Sequence, residues 1–274
     1  MTTSVLITGT SSGIGRATVR QLARRPEFTV YATARNVEAI ADLADSGARL
    51  LPLDVTDEES MRAAVAAVEA AHGQVDVLVN NAGYGEYGPI EEAPLDRVRA
   101  QFETNVFGLS RLTQLVLPGM RRAGRGRIVN VSSMGGRLVF PGGGYYHASK
   151  YAVEAISDAL RQEVRPFGIE VVVVEPGLIR TGFGAVAAKS LGAGAPAGPY
   201  RTMVASVDAA MAKSYANPML AATPETVARV IERAVTVRRP RTRYLVTAAA
   251  WAMVHTRRLF GARVFDAVAR LQFR

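Results

Sequence analysis

The chain has 274 residues, 49% of them hydrophobic, a formal net charge of +9 and no cysteine. That length and apolar content suit one large domain with a sizeable core. The absence of cysteine excludes disulfides and thiolate catalysis, and three scattered histidines, His72, His147 and His255, give no basis for a metal site. The charge is uneven: residues 1–200 hold 20 basic and 20 acidic residues, whereas residues 201–274 hold 13 and 4. A neutral body therefore carries a basic tail.

Taken in chain order, the first apolar run is VLIT, Val5 to Thr8, with no basic segment and signal-type apolar stretch before it, which sets the expectation of a cytoplasmic protein. FTVYATA (28–34), ARLLPLD (48–54), VDVLVNN (75–81), RIVNVS (127–132), EVVVVEP (170–176) and RYLVT (243–247) follow as strand-like segments. Between them, helical spacing runs over 14–24, 37–45, 58–71, 96–120, 148–167 and 224–237. Unalternating apolar strands separated by helices predict a seven-stranded parallel sheet covered on both faces. The Gly- and Ala-rich stretch 182–199 reads as a loop or lid carrying weak helix.

Directly after the first strand comes TGTSSGIGRA, Thr8 to Ala17. Gly9, Gly13 and Gly15 are placed for a tight turn that lets backbone N–H groups approach a phosphate and opens a helix whose dipole favours negative charge. Further on, YYHASK (145–150) offers several reactive side chains. Residues three or four apart share a helix face, so Tyr146 and His147 can each reach Lys150, and Tyr145 is disfavoured.

These segments together resemble the short-chain dehydrogenase/reductase family, and within it the hydroxysteroid and retinol dehydrogenase branch. TGTSSGIG is similar to the family's glycine-rich cofactor loop, Asn80-Asn81-Ala82-Gly83 to its NNAG motif, Tyr146 and Lys150 to its YxxxK pair, and Pro176-Gly177 to its PG step. The resemblance spans about residues 4–247 and implies a single-domain Rossmann fold with an NADP(H)-dependent oxidoreductase activity. It selects Tyr146 as general acid/base. It places Ser133, thirteen positions earlier, on the substrate oxygen with Ser132 as competitor, and makes Asn105 the support of a water relay to Lys150. It assigns cofactor binding to Gly9, Ser11, Ser12, Gly13, Ile14, Gly15, Asp54, Val55, Asn81, Ala82, Gly83, Val131, Tyr146, Lys150, Pro176, Gly177, Ile179 and Thr181. The second strand ends with Ala34 where an acid would hold the ribose of NAD, and Arg35 follows, which favours the 2′-phosphate of NADP(H), with Arg16 as a second cation.

The substrate is expected to be a lipophilic alcohol or ketone, because Tyr84, Tyr87, Leu138, Val139, Phe140, Phe183, Met203 and Met211 dominate the regions that select it, including a loop at about 178–218. The alternative is a cofactor-binding scaffold on the same fold. Residues 1–247 are expected to form the catalytic domain and 248–274 a basic helical extension, too short in apolar run (AAAWAMV) to span a membrane. In that extension Val264, Phe265, Val268 and Leu271 fall on one stripe beside Arg263, Arg270 and Arg274. It is expected to pack on the body, on a second subunit of a homodimer or homotetramer, or on a membrane surface. Nothing in the pattern reads nucleic acid.

Overall fold

In a computed structural model, residues 2–192 and 198–272 are described, with side chains to residue 267. Seven parallel strands form one sheet in the order β3-β2-β1-β4-β5-β6-β9: β1 (Thr3–Ile7), β2 (Phe28–Ala34), β3 (Arg49–Pro52), β4 (Val77–Asn80), β5 (Gly126–Val131), β6 (Ile169–Glu175) and β9 (Arg243–Leu245). The order reverses between β1 and β4, whose ends align as Ile7 with Val79. Open parallel sheets bind ligands outside the carboxyl ends of their strands at such a reversal.

Alternation within the strands buries both faces. Val5, Ile7, Val129, Val131, Val172 and Val174 pack with helices α1 (Gly13–Leu22) and α8 (Pro224–Thr236). Leu6, Leu78, Ile128 and Val171 pack with α2 (Glu58–His72) and α4 (Leu109–Ala123). Asp57 starts α2 by accepting from the backbone N–H groups of Glu59 and Ser60, satisfying donors the helix itself leaves open. A buried polar chain crosses the second layer. The Asn80 amide donates to Asn130 at 2.9 Å and Thr113 at 3.0 Å, and Asn130 donates to Ser157 at 2.9 Å. It ties β4 and β5 to α4 and to α5 (Gly144–Glu163), the helix that carries Tyr146 and Lys150.

The structure departs from the sequence expectation in four places. Residues Glu38–Ser46 form a 3-10 helix, not an α-helix. The single helix expected over 96–120 is α3 (Leu95–Phe102) followed by a π-helical segment, Glu103–Gly108, and then α4. The stretch expected as a loop or lid carrying weak helix does hold a helix, α6 (Phe183–Gly192), but a further helix that the spacing did not predict, α7 (Arg201–Ala216), follows it. A second small sheet pairs β7 (Leu178–Ile179) with β8 (Ala221–Ala222), which pins the chain on either side of these helices. Residues 193–197 of the expected loop lie outside the described residues.

Helix α9 (Ala248–Gln272) follows β9 and is kinked at Gly261, whose φ is 75°. Its inner face packs Ala250, Val254 and Phe265 on Met134 and Leu138. Val268, Arg270, Leu271 and Arg274, the rest of the expected tail stripe, lie outside the described side chains. Among the described residues, no helix is long and apolar enough to cross a membrane.

Candidate active site

At the switch point, a cleft of about 650 Å³ runs from the β1–α1 turn to the space between α5, α6, α7 and α9. This volume falls within the range of small-molecule sites. Its first end is made of main chain. Gly9 and Gly13 take positive φ, 68° and 55°, which side chains of L-residues rarely adopt. A Cβ on Gly9 would stand 2.8 Å from Ala82 Cα, and one on Gly15 would stand 2.4 Å from the Gly9 carbonyl oxygen. Ser12, at the N-cap of α1, makes no side-chain cap. The turn thus presents N–H groups of a helix N-terminus to the cleft, the donor set that suits a pyrophosphate. This cradle, closed to any Cβ, fits a dinucleotide.

The neighbouring groups hold that turn. Thr8 Oγ1 accepts from the N–H groups of Asn81 and Ala82, both at 2.9 Å, and the Asn81 amide donates to the carbonyls of Thr8 and Gly9. Asn81 is therefore a suture between β1 and β4. Asp54 lines the cleft while its carboxylate accepts from Thr56 N–H and Oγ1, at 2.9 and 2.8 Å. Arg35 is exposed on the wall, and among the described residues it has no ion-pair partner. Arg16 does not assist it: its guanidinium is held by Asp42 and by the carbonyls of Ser11 and Ala39. Ser11, Ser12, Ile14, Val55, Ala82, Gly83, Val131, Pro176, Gly177, Ile179 and Thr181 all line the cleft. Gly15 lies behind it as a packing glycine.

In the middle of the cleft stand Ser133, Tyr146 and Lys150. Tyr146 is 7% and Lys150 6% exposed. Burial pushes the phenol up to about 12, and the Ser133 hydroxyl beside it acts in the opposite direction. Burial also pulls the Lys150 ammonium down to about 8, with Glu154 one turn away opposing. Lys150 Nζ donates to the Val131 carbonyl at 3.0 Å. The lysine thus shares the tyrosine's helix face, but its ammonium is directed to the end of β5, and burial dominates the phenol. Asn105 does not line the cleft. It sits behind Gly83 in the π-helical segment, pairs with both backbone groups of Tyr84 at 3.1 and 2.8 Å, and donates to Ser149 at 3.1 Å. π-Helical turns are frequent at functional sites, and this one aims a side chain at the loop that roofs the cleft.

The far end is made of side chains. Tyr84, Tyr87, Phe140, Phe183 and Met211 line it. The Tyr146 ring stacks on Tyr87 at 5.6 Å and meets Phe183 at 5.2 Å. Three expected selectors are elsewhere: Leu138 is buried under α9, Val139 is 43% exposed, and Met203 does not line the cleft. Val186, Tyr215 and Met253 also line the wall, the first two on α6 and α7 within the expected selecting region at about 178–218 and the third on α9 outside it.

His147, which shares a helix face with Lys150, also lines the cleft. It is buried, its Nδ1 is 3.1 Å from the Gly135 carbonyl, and its Nε2 accepts from Phe140 N–H at 3.2 Å. A carbonyl only accepts and an N–H only donates, so the proton sits on Nδ1. Burial pulls this imidazole down to about 4. It is a neutral rivet between α5 and the loop that begins at Ser133, not a proton carrier at neutral pH. Among the described residues, no cluster of three or more metal-ligating side chains occurs.

Comparison with known proteins agrees with this geometry. The family model for short chain dehydrogenase matches residues 3–191. The chain is 45% identical over 180 residues to 3-ketodihydrosphingosine reductase of Bacteroides thetaiotaomicron, a match covering 65% of each protein. It is 37% identical to the uncharacterized oxidoreductase YbbO of Escherichia coli over 98% of this chain and 94% of that one. Among solved structures, a short-chain dehydrogenase from Streptomyces avermitilis is similar with a TM-score of 0.81 and 35% identity, over 98% of both chains. One from Burkholderia phymatum was solved with NAD (TM-score 0.80, 26% identity, 94% of this chain and 93% of that one). A serine dehydrogenase was solved with NADP+ (TM-score 0.76, 28% identity, 88% and 93%).

Proposed function

Because the chain belongs to the short chain dehydrogenase family, and so is an oxidoreductase of CH–OH or carbonyl groups with a nicotinamide cofactor, we propose that it is an NADP(H)-dependent reductase of lipophilic ketones, working reversibly on the corresponding alcohols. The observation that carries this reading is the position of Ser133, Tyr146 and Lys150 between a glycine-turn cradle and an apolar chamber. The bound nicotinamide supplies or accepts the hydride.

The chain's own residues orient and protonate. The glycine turn and α1 hold the phosphates, Asp54 the adenine side, Asn81 the frame of the turn, and Lys150 the nicotinamide ribose. Ile179, Gly177 and Thr181 border the ring. Ser133 donates to the substrate oxygen, and the Tyr146 phenol, raised by burial and therefore protonated at neutral pH, delivers its proton there. That charge state suits reduction. Asn105 holds the Tyr84 loop over the lysine.

Arg35, exposed beside the cradle and preceded by Ala34, supports NADP(H), since a guanidinium grips a 2′-phosphate in a planar, bidentate manner. The rings and Met211 at the far end support a bulky apolar substrate, and the relative from B. thetaiotaomicron is a reductase of a long-chain keto lipid by its name. The exposed Phe107 and Tyr151, on the π-helical segment and α5, support pairing of subunits through these helices as a homodimer or homotetramer. The test is absorbance-monitored NADPH oxidation with a panel of long-chain and polycyclic ketones beside small charged carbonyls. Turnover of the first group is expected; turnover confined to the second would overturn the substrate class.

A further inference from the structure

We propose that α9 is a docking element for an anionic lipid surface, placed where the chamber's wall meets solvent. The helix has two unlike faces. Inward, Met253 lines the cleft, and Phe265 packs on Phe140, another wall residue, with ring centroids 5.7 Å apart. Outward, Trp251, His255, Arg258 and Leu259 follow at i, i+4, i+7 and i+8, a single helical face. Trp251 is 57%, Leu259 73% and Phe260 63% exposed, and Val264 and Arg263 continue the exposed surface past the kink at Gly261.

Charge selects the occupant. Among residues 248–267 the basic side chains are Arg257, Arg258 and Arg263, and Asp266 is the one acid. Exposed aliphatic and aromatic groups interleaved with arginines, with a tryptophan on the same face, are the pattern of a helix lying in the headgroup region of an anionic bilayer. A second copy fits less well, since a self-contact would bring the same arginines together with little acid to offset them. Thr247 anchors this element to the body: its hydroxyl accepts from Ala250 N–H at 3.1 Å, next to Gly177, where a Cβ would stand 2.2 Å from that oxygen. The docking face and the chamber wall are therefore carried on one element, which starts against Gly177. That the surface would also deliver the substrate rests on the lipophilic reading above; the docking itself does not.

Trp251 is the sole tryptophan of the chain, so its emission reports this face alone. The experiment titrates the full-length protein with phosphatidylcholine vesicles, with and without phosphatidylglycerol, reading tryptophan emission and co-sedimentation, and measures NADPH affinity on the same samples. A blue shift and binding confined to the anionic vesicles, weakened by salt and roughly fivefold by each of Arg258→Ala and Arg263→Ala, is the expected result. Leu259→Ser with Phe260→Ser should also abolish the shift while NADPH affinity stays at the wild-type value, which separates loss of docking from loss of fold. No binding to anionic vesicles, or equal binding to neutral ones, overturns the proposal. So does a protein-concentration-dependent shift without vesicles that tracks a doubled mass, since the face then pairs two copies. None of these readouts depends on turnover.

Discussion

At its glycine-turn end the cleft is walled by main chain, with Gly9 and Gly13 in the left-handed region and Gly15 against the Gly9 carbonyl, whereas at its far end it is walled by side chains, Tyr87, Phe140, Phe183 and Met211, carried on loops and on α6 and α7. The first wall has no room at its glycines, where a Cβ on Gly9 or Gly15 collides with backbone, and its side chains, Ser11, Ser12, Ile14 and Arg35, stand around that turn. The second can change size and shape residue by residue without moving the sheet. On the proposed function, phosphate binding is set by the turn at the strand ends, while substrate choice rests on elements that lie outside the sheet's alternation.

Substitutions can break this contrast at either end. The largest effect is expected from Gly9→Ala, which combines a strained φ, about 1–2 kcal/mol, with a Cβ 2.8 Å from Ala82 Cα; calorimetry should show cofactor affinity reduced by ~100-fold or more. Between the two ends lies His147. Its imidazole, ordinarily near 6.5, is held at about 4 when folded, so an unfolded chain takes up a proton that the folded one refuses. The stability this represents is present above pH 6.5 and is lost as pH falls from 6.5 toward 4, by about 3 kcal/mol. Chemical denaturation across that interval should show the loss in the wild type and a flatter profile in His147→Gln. Arg35→Ala should weaken NADPH by about 10- to 100-fold, the range of charged hydrogen bonds, and leave NADH almost unchanged in the same titration. The smallest effect belongs to the far wall: Met211→Ala should raise KM for a bulky ketone by less than ~10-fold, with NADPH affinity untouched.

How much of this was legible in the sequence follows the same division. The strands announced themselves as unbroken apolar runs because both sheet faces are buried. The glycine turn, Tyr146 and Lys150 were legible because their spacing is dictated by one turn or one helix face. Asn105 was named, but its place behind the wall was not, because a π-helical segment shifts register in a way no apolar period reveals. Arg16 is a second cation by sequence alone, since nothing local discloses that Asp42, 26 positions on, folds back against it. Spacing brings His147 within reach of Lys150 but does not disclose its two partners, Gly135 and Phe140, because they are backbone groups, which leave no mark in composition. Val186, Tyr215 and Met253 depend on how α6, α7 and α9 lie against the sheet, a tertiary choice beyond periodicity.

In the proposed function Tyr146 supplies the proton while the cradle holds the cofactor independently of it. The most direct measurement is single-turnover NADPH oxidation by Tyr146→Phe with a lipophilic ketone that the wild type reduces, alongside NADPH titration of both proteins. The expected result is a rate lower by about 10²- to 10⁴-fold with NADPH affinity unchanged. Undiminished turnover in the variant would contradict it.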